Sequence, residues 1–173
     1  MATTTKPSSH QTRPSLKSWV VDQWPFIVGP LMLAIAEVVQ FAQHGSDGWE
    51  RALLRNALVF LVGVPGIVGA SGHVFAADQV AESIGWPKGS PFQFEVGMAN
   101  LSFGVLGIMC SWVTGDFWTA TVVGFSVFLW GDAIGHVRQM VQEKNFNPGN
   151  AGTVFWMDIL IPAALYVLLL TYK

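Results

Sequence analysis

Five ionisable side chains, His73, Glu95, Asp132, His136 and Asp158, lie inside apolar stretches of this chain. Neutral imidazole and carboxylate together form a donor set for one borderline divalent ion: zinc, copper, iron or manganese. Without a metal, the same groups make a proton relay or a general acid–base pair working on a lipophilic substrate. Asp132 and His136 are four residues apart, so a helix presents both on one face. One helix supplying two donors, with others from its neighbours, is how helical bundles build metal sites. A di-iron carboxylate centre wants Glu-x-x-His on each of two helices. The chain has no such motif, so a single ion is the expected version. A b-type haem held by His73 and His136 is disfavoured, because three nearby acids would crowd an apolar macrocycle.

The elements that must position these groups are membrane spans. Of 173 residues, 51% are hydrophobic and only 12% charged, and the mean hydropathy is +0.44. Apolar runs near 20 residues predict an all-α, polytopic bundle of five spans, near 25–43, 52–76, 91–113, 117–140 and 153–172. The strict alternation of a transmembrane β-barrel is absent. A net charge of −2 argues against a nucleic-acid partner. Residues 24–173 form one domain, preceded by a polar tail, 1–23, carrying Lys6, Arg13 and Lys17. That tail has no apolar signal core and is expected to be retained, docking on a partner or on anionic headgroups. Cys110, the one cysteine, reads as a buried, inert thiol.

Starts of the later spans carry signals. Ser90-Pro91-Phe92-Gln93 reads as a capping box, Asp116 as the cap of the fourth span, and Asn150 as the cap of the fifth. Five spans put Lys6, Arg13, Lys17, Lys88, Arg138 and Lys144 on one side and Arg51, Arg55 and Lys173 on the other. That split predicts an integral membrane protein with its N-terminus in the cytoplasm. Trp24, Trp86 and Trp156 fall at one interface, and Trp49, Trp112 and Trp118 at the other. Gly63, Gly66, Gly69 and Gly72 around Pro65, Gly97, Gly104 and Gly107 on the third span, and Gly131 and Gly135 on the fourth mark close helix approaches.

At 1.5 Å per residue, all five ionisable groups fall within roughly 5–12 Å of the same membrane face. Charge at that depth is costly, so such groups are paired or engaged with a ligand. Each also has a plainer reading. Asp158 and Glu95 could answer the positive ends of their helices. His73 could sit among headgroups, and an Asp132–His136 hydrogen bond could simply lock packing. Glu37, nearer the opposite face, pairs most simply with Arg55 or with Gln40. Gln93 and Asn100 face away from Glu95 and could bond across helices or support the cluster.

The block from Gly85 to Leu101 (GWPKGSPFQFEVGMANL) resembles an uncharacterised family of small bacterial multi-span proteins. Trp130-Gly131-Asp132-Ala133-Ile134-Gly135-His136 and Asn147-Pro148-Gly149-Asn150-Ala151-Gly152 are similar to it too. The resemblance covers about residues 52–172 and implies no activity.

Substrate and reaction are therefore not named by the sequence. The leading expectation is a His/carboxylate transition-metal site in a membrane protein, alone or as the small subunit of a membrane oxidoreductase. The alternatives are a structural accessory subunit, as a homo-oligomer or within a larger complex, and a lipid-directed acid–base enzyme. Transport is disfavoured, since no pair of spans shows inverted-repeat symmetry.

Overall fold

A computed structural model of the protein describes residues 16–172. The basic residues of the tail, Lys6 and Arg13, lie outside the described residues. Helices run over α1 (Leu16–His44), α2 (Trp49–Phe75), α3 (Ala77–Ile84), α4 (Phe92–Met109), α5 (Asp116–Gln142) and α6 (Thr153–Thr171). A single helical turn, Pro148–Ala151, precedes α6. Five of these segments are long and apolar enough to cross a membrane, so the chain is a multi-pass helical bundle. Helix α1 begins at Leu16, inside the stretch expected to be polar tail. Helix α3, in a segment expected to be loop, ends on Gly85 with φ +85°.

Consecutive spans run antiparallel. Gly29 of α1 faces Phe60 of α2, and Glu37 faces Asn56. Gly63, Gly66 and Gly69 of α2 meet Gly107, Gly104 and Asn100 of α4 in turn. Trp130 of α5 stacks on Tyr166 of α6, ring centroids 5.6 Å apart, and Trp118 meets Tyr172. One end of the bundle is filled by apolar side chains: Leu54, Leu58 and Val62 of α2, Trp118, Val122 and Phe125 of α5, and Leu165 of α6. Polar side chains gather at the opposite end.

Pro65 shapes α2. Residues Leu58–Gly63 are π-helical, and the Val64 N–H reaches back five residues to the Val59 carbonyl. Five residues on from Phe60 stands Pro65, which has no N–H to offer. The Phe60 carbonyl instead abuts Gly29, where an added Cβ would collide with it. Widened helical turns of this kind absorb a proline and recur at functional sites.

Several expected interactions are replaced by others. The capping box does not form: α4 has no side-chain cap, and the Gln93 amide turns inward. Asp116 is the first residue of α5 and does not cap it. Asn150 lies in the Pro148–Ala151 turn, and Gly152, not Asn150, stands at the cap of α6. A Cβ added at Gly131 or Gly135 would meet nothing within 4 Å, so that pair does not pack inside the chain. Trp118 is no interfacial residue: it is 1% exposed and its indole Nε1 donates to the Cys110 carbonyl at 3.0 Å. Trp118→Phe leaves that buried carbonyl unpaired and is expected to lower stability by about 1–3 kcal/mol, read as a lower Tm in detergent.

Candidate functional site

At the polar end, α5 delivers His136 to the interior. The buried face of α5 runs Trp118, Val122, Phe125, Leu129, Ala133 and His136, so the ring arrives where an apolar residue would continue the stripe. Helix α6 runs antiparallel and brings Asp158, also buried, opposite it. His136 Nε2 stands 3.5 Å from Asp158 Oδ2, within ion-pair reach. That oxygen is buried and has no hydrogen-bond partner. Asp132, one turn before His136 on the same helix face, is half-buried.

The other ring nitrogen is held from below. His136 Nδ1 lies 2.8 Å from Asn150 Oδ1. Asn150 is fully buried, and its Nδ2 donates to the His136 carbonyl at 3.3 Å and to the Asn145 carbonyl at 2.9 Å. Those two acceptors fix which way the amide points. With the carbonyl oxygen of Asn150 toward Nδ1, that nitrogen must carry the hydrogen. Asn145 extends the network: its Nδ2 donates to the Ile84 carbonyl at the end of α3, and its Oδ1 accepts from Asn147. Gly149 packs so closely on Ser83 that an added Cβ would lie 2.6 Å from the Ser83 oxygen. The chain turn before α6 is thus clamped against α3, and the clamp sets the imidazole.

His73 and Glu95 do not join this group. His73 Nδ1 lies 2.6 Å from Oε1 of Gln93. Gln93 is on the face of α4 that packs on α2, together with Gly97, Gly104 and Gly107. Residues two apart on a helix are about 200° apart around its axis. Burying Gln93 therefore turns Glu95 outward, and it is exposed. Among the described residues, no three His, Cys, Asp or Glu side chains are close enough to hold a metal ion. The five expected ligands are thus split between His136/Asp158/Asp132, His73 with Gln93, and outward-facing Glu95.

Sequence reasoning missed Asn150 as a site residue. Its signal was present in Asn145-Phe146-Asn147-Pro148-Gly149-Asn150, where three amides surround one turn. Glu37 is likewise held differently from the expected pairing with Arg55. Asn56 Nδ2 donates to Glu37 Oε1 at 2.9 Å, and Arg55 Nε donates to Asn56 Oδ1 at 3.2 Å. Asn100 stays within its own helix, donating to the Val96 carbonyl at 3.0 Å.

Residues 23–173 match the model of a family of unknown function, DUF6790, and the chain belongs to that family. No curated protein and no solved structure matches it.

Proposed function

We propose that the protein handles a proton inside the membrane, at the His136–Asp158 pair, with Asp132 as the neighbouring carboxylate. The observation that carries this reading is the Asn150 lock. With the hydrogen on Nδ1, Nε2 of neutral His136 has a lone pair facing Asp158 Oδ2. Two lone pairs facing each other repel, and a proton bound on either atom relieves that repulsion. The pair is either imidazolium beside carboxylate or imidazole beside carboxylic acid. Such a shared proton suits a relay or an acid–base step on a lipophilic molecule. Asp132, only half-buried, is the group through which the proton would exchange with the surroundings.

A second reading has one observation in its favour. A metal-bound histidine usually donates its other ring N–H to a carbonyl or carboxylate, and the side-chain carbonyl of Asn150 is placed to accept that hydrogen from His136. A transition-metal ion would then take Nε2, Asp158 and Asp132, which would have to draw together. The accessory-subunit role and a cytoplasmic N-terminus in a bacterial inner membrane belong with these proposals. Lys88, Arg138 and Lys144 on the site's side of the bundle support that orientation.

Infrared difference spectroscopy on detergent-purified protein tests the leading reading. Asp158→Asn keeps the shape and can donate from its amide to Nε2, so folding is expected to survive with a Tm near that of the wild type. A protonation-dependent carboxyl or imidazole band is expected in the wild type and absent in Asp158→Asn. A band unchanged by that substitution refutes the proton site. Elemental analysis beside it decides for the metal reading if near one equivalent of metal is present and is lost in His136→Ala.

A further inference from the structure

At the opposite end of the bundle, the end of α1, the start of α2 and the connection from α4 to α5 enclose a cleft of about 760 Å³. Its charge comes from Arg51 and Arg55, four residues apart and so on one face of α2. Among the described residues the side-chain ion pairs are Lys88–Glu82 and His136–Asp158, so neither arginine meets a carboxylate within 4.0 Å. Arg51 is held by its carbon end: Cζ lies 5.2 Å from the centroid of buried Trp118. Stacking over an indole fixes a guanidinium without neutralising it and leaves its N–H edge free. Arg55 uses Nε on Asn56, and Asn56 then spends its amide on Glu37. The acid is thereby held by a neutral group, and the outer edge of Arg55 is left for something else. Gln40, Gln43 and Thr114 add neutral donors to the cleft wall, and Asp47 is its one acidic residue.

We propose that this cleft binds a phosphate-bearing anion, with Arg51 and Arg55 as the paired guanidinium donors. Planar forks of this kind match phosphate oxygens two at a time. The cleft opens at the end of the spans, the depth of headgroup phosphates, so an anionic lipid and a soluble phosphate share the chemistry that would fill it. The site lies at the far end of the spans from the His136–Asp158 pair and does not depend on the proton reading.

The test is thermal unfolding of the full chain in neutral detergent, with added phosphatidylglycerol, phosphatidylcholine or inorganic phosphate. Phosphatidylglycerol is expected to raise Tm by several degrees and phosphatidylcholine to do little. Most of that shift is expected to vanish in Arg51→Gln/Arg55→Gln and to survive in Lys88→Gln/Lys144→Gln on the other face. Should the arginine variant not fold, Thr114→Glu serves in its place. Thr114 is exposed, and a carboxylate there repels the anion without disturbing the core. A shift of the same size with inorganic phosphate alone supports the cleft and makes the ligand a soluble phosphate. No shift with either anion, or a shift that persists in the arginine or glutamate variant, overturns the proposal.

Discussion

Gly104→Val is expected to leave little monodisperse folded protein in detergent, while Gly131→Ala leaves stability unchanged or slightly raised. Both glycines sit mid-helix in apolar sequence, so composition alone would treat them alike. A Cβ at Gly104 would lie 2.8 Å from the Ile67 backbone nitrogen and 3.0 Å from the Gly66 carbonyl carbon. A Cβ at Gly66 would lie 2.6 Å from the Gly104 Cα. These are backbone atoms, which no rotamer change can move aside, so α2 and α4 would have to separate. Overpacking by one methyl typically costs about 1–3 kcal/mol, which is the expectation for Gly104→Ala, and valine exceeds it. The loss spreads, because the same interface seats Gln93 against His73. At Gly131 the added methyl meets nothing within 4 Å. Relief of glycine's conformational entropy there favours the helix by about 0.5–1 kcal/mol. Thermal unfolding by circular dichroism, with size-exclusion profiles, separates the two outcomes. A loss at Gly131→Ala as large as at Gly104→Ala would mean that this face packs against another chain and not against lipid.

The contrast shows what the sequence carries and what it leaves open. The five spans were legible because hydrocarbon thickness sets a length that apolar runs must meet. Their antiparallel order followed from the short connections. The pairing of glycines was not legible, because small-xxx-small spacing marks a face able to approach closely without naming its partner. Gly66 and Gly104 found each other, whereas Gly131 and Gly135 face outward. The ionisable cluster divides on the same ground. His136 and Asp158 were placed at matching depth, and the structure brings them together. Glu95 was placed at that depth too, but its direction around α4 was decided by burial of Gln93. Depth follows from counting residues; azimuth follows from packing, and one residue's error is about 100°. Asn150 was misread for a related reason. Asparagine before a helix ordinarily caps it, and only the fold of the Asn145–Asn150 turn could show its amide committed to a histidine on another span.

Asn150→Leu is expected to be among the most damaging single substitutions near the polar end, and its damage has a signature distinct from lost packing. Leucine has the same branched arrangement of four side-chain heavy atoms and is the larger residue, so no cavity is created. It removes the partner of His136 Nδ1 and the donor to two buried carbonyls, those of His136 and Asn145. The His136 carbonyl keeps its helical N–H partner, but Nδ1 and the Asn145 carbonyl are left unsatisfied at about 1–3 kcal/mol each, so a loss of about 2 kcal/mol or more is expected, a large part of an ordinary protein's stability. Asn150→Asp tests geometry against chemistry. It keeps the acceptor toward Nδ1 but loses the donor to the two carbonyls and adds a third carboxylate beside Asp158 and Asp132. Both variants are to be compared with wild type by nitrogen-15 NMR of the histidine rings. Wild-type His136 is expected to show its hydrogen on Nδ1, independent of the bulk tautomer preference. In Asn150→Leu the hydrogen is expected to move to Nε2, where Asp158 can accept it, if the fold survives in stabilising lipid. A ring that keeps its Nδ1 hydrogen without Asn150 would show that the imidazole is set by something else. A wild-type ring with its single hydrogen on Nε2 would remove the premise of the single-proton argument for the His136–Asp158 pair, since that argument depends on Nε2 being the free nitrogen.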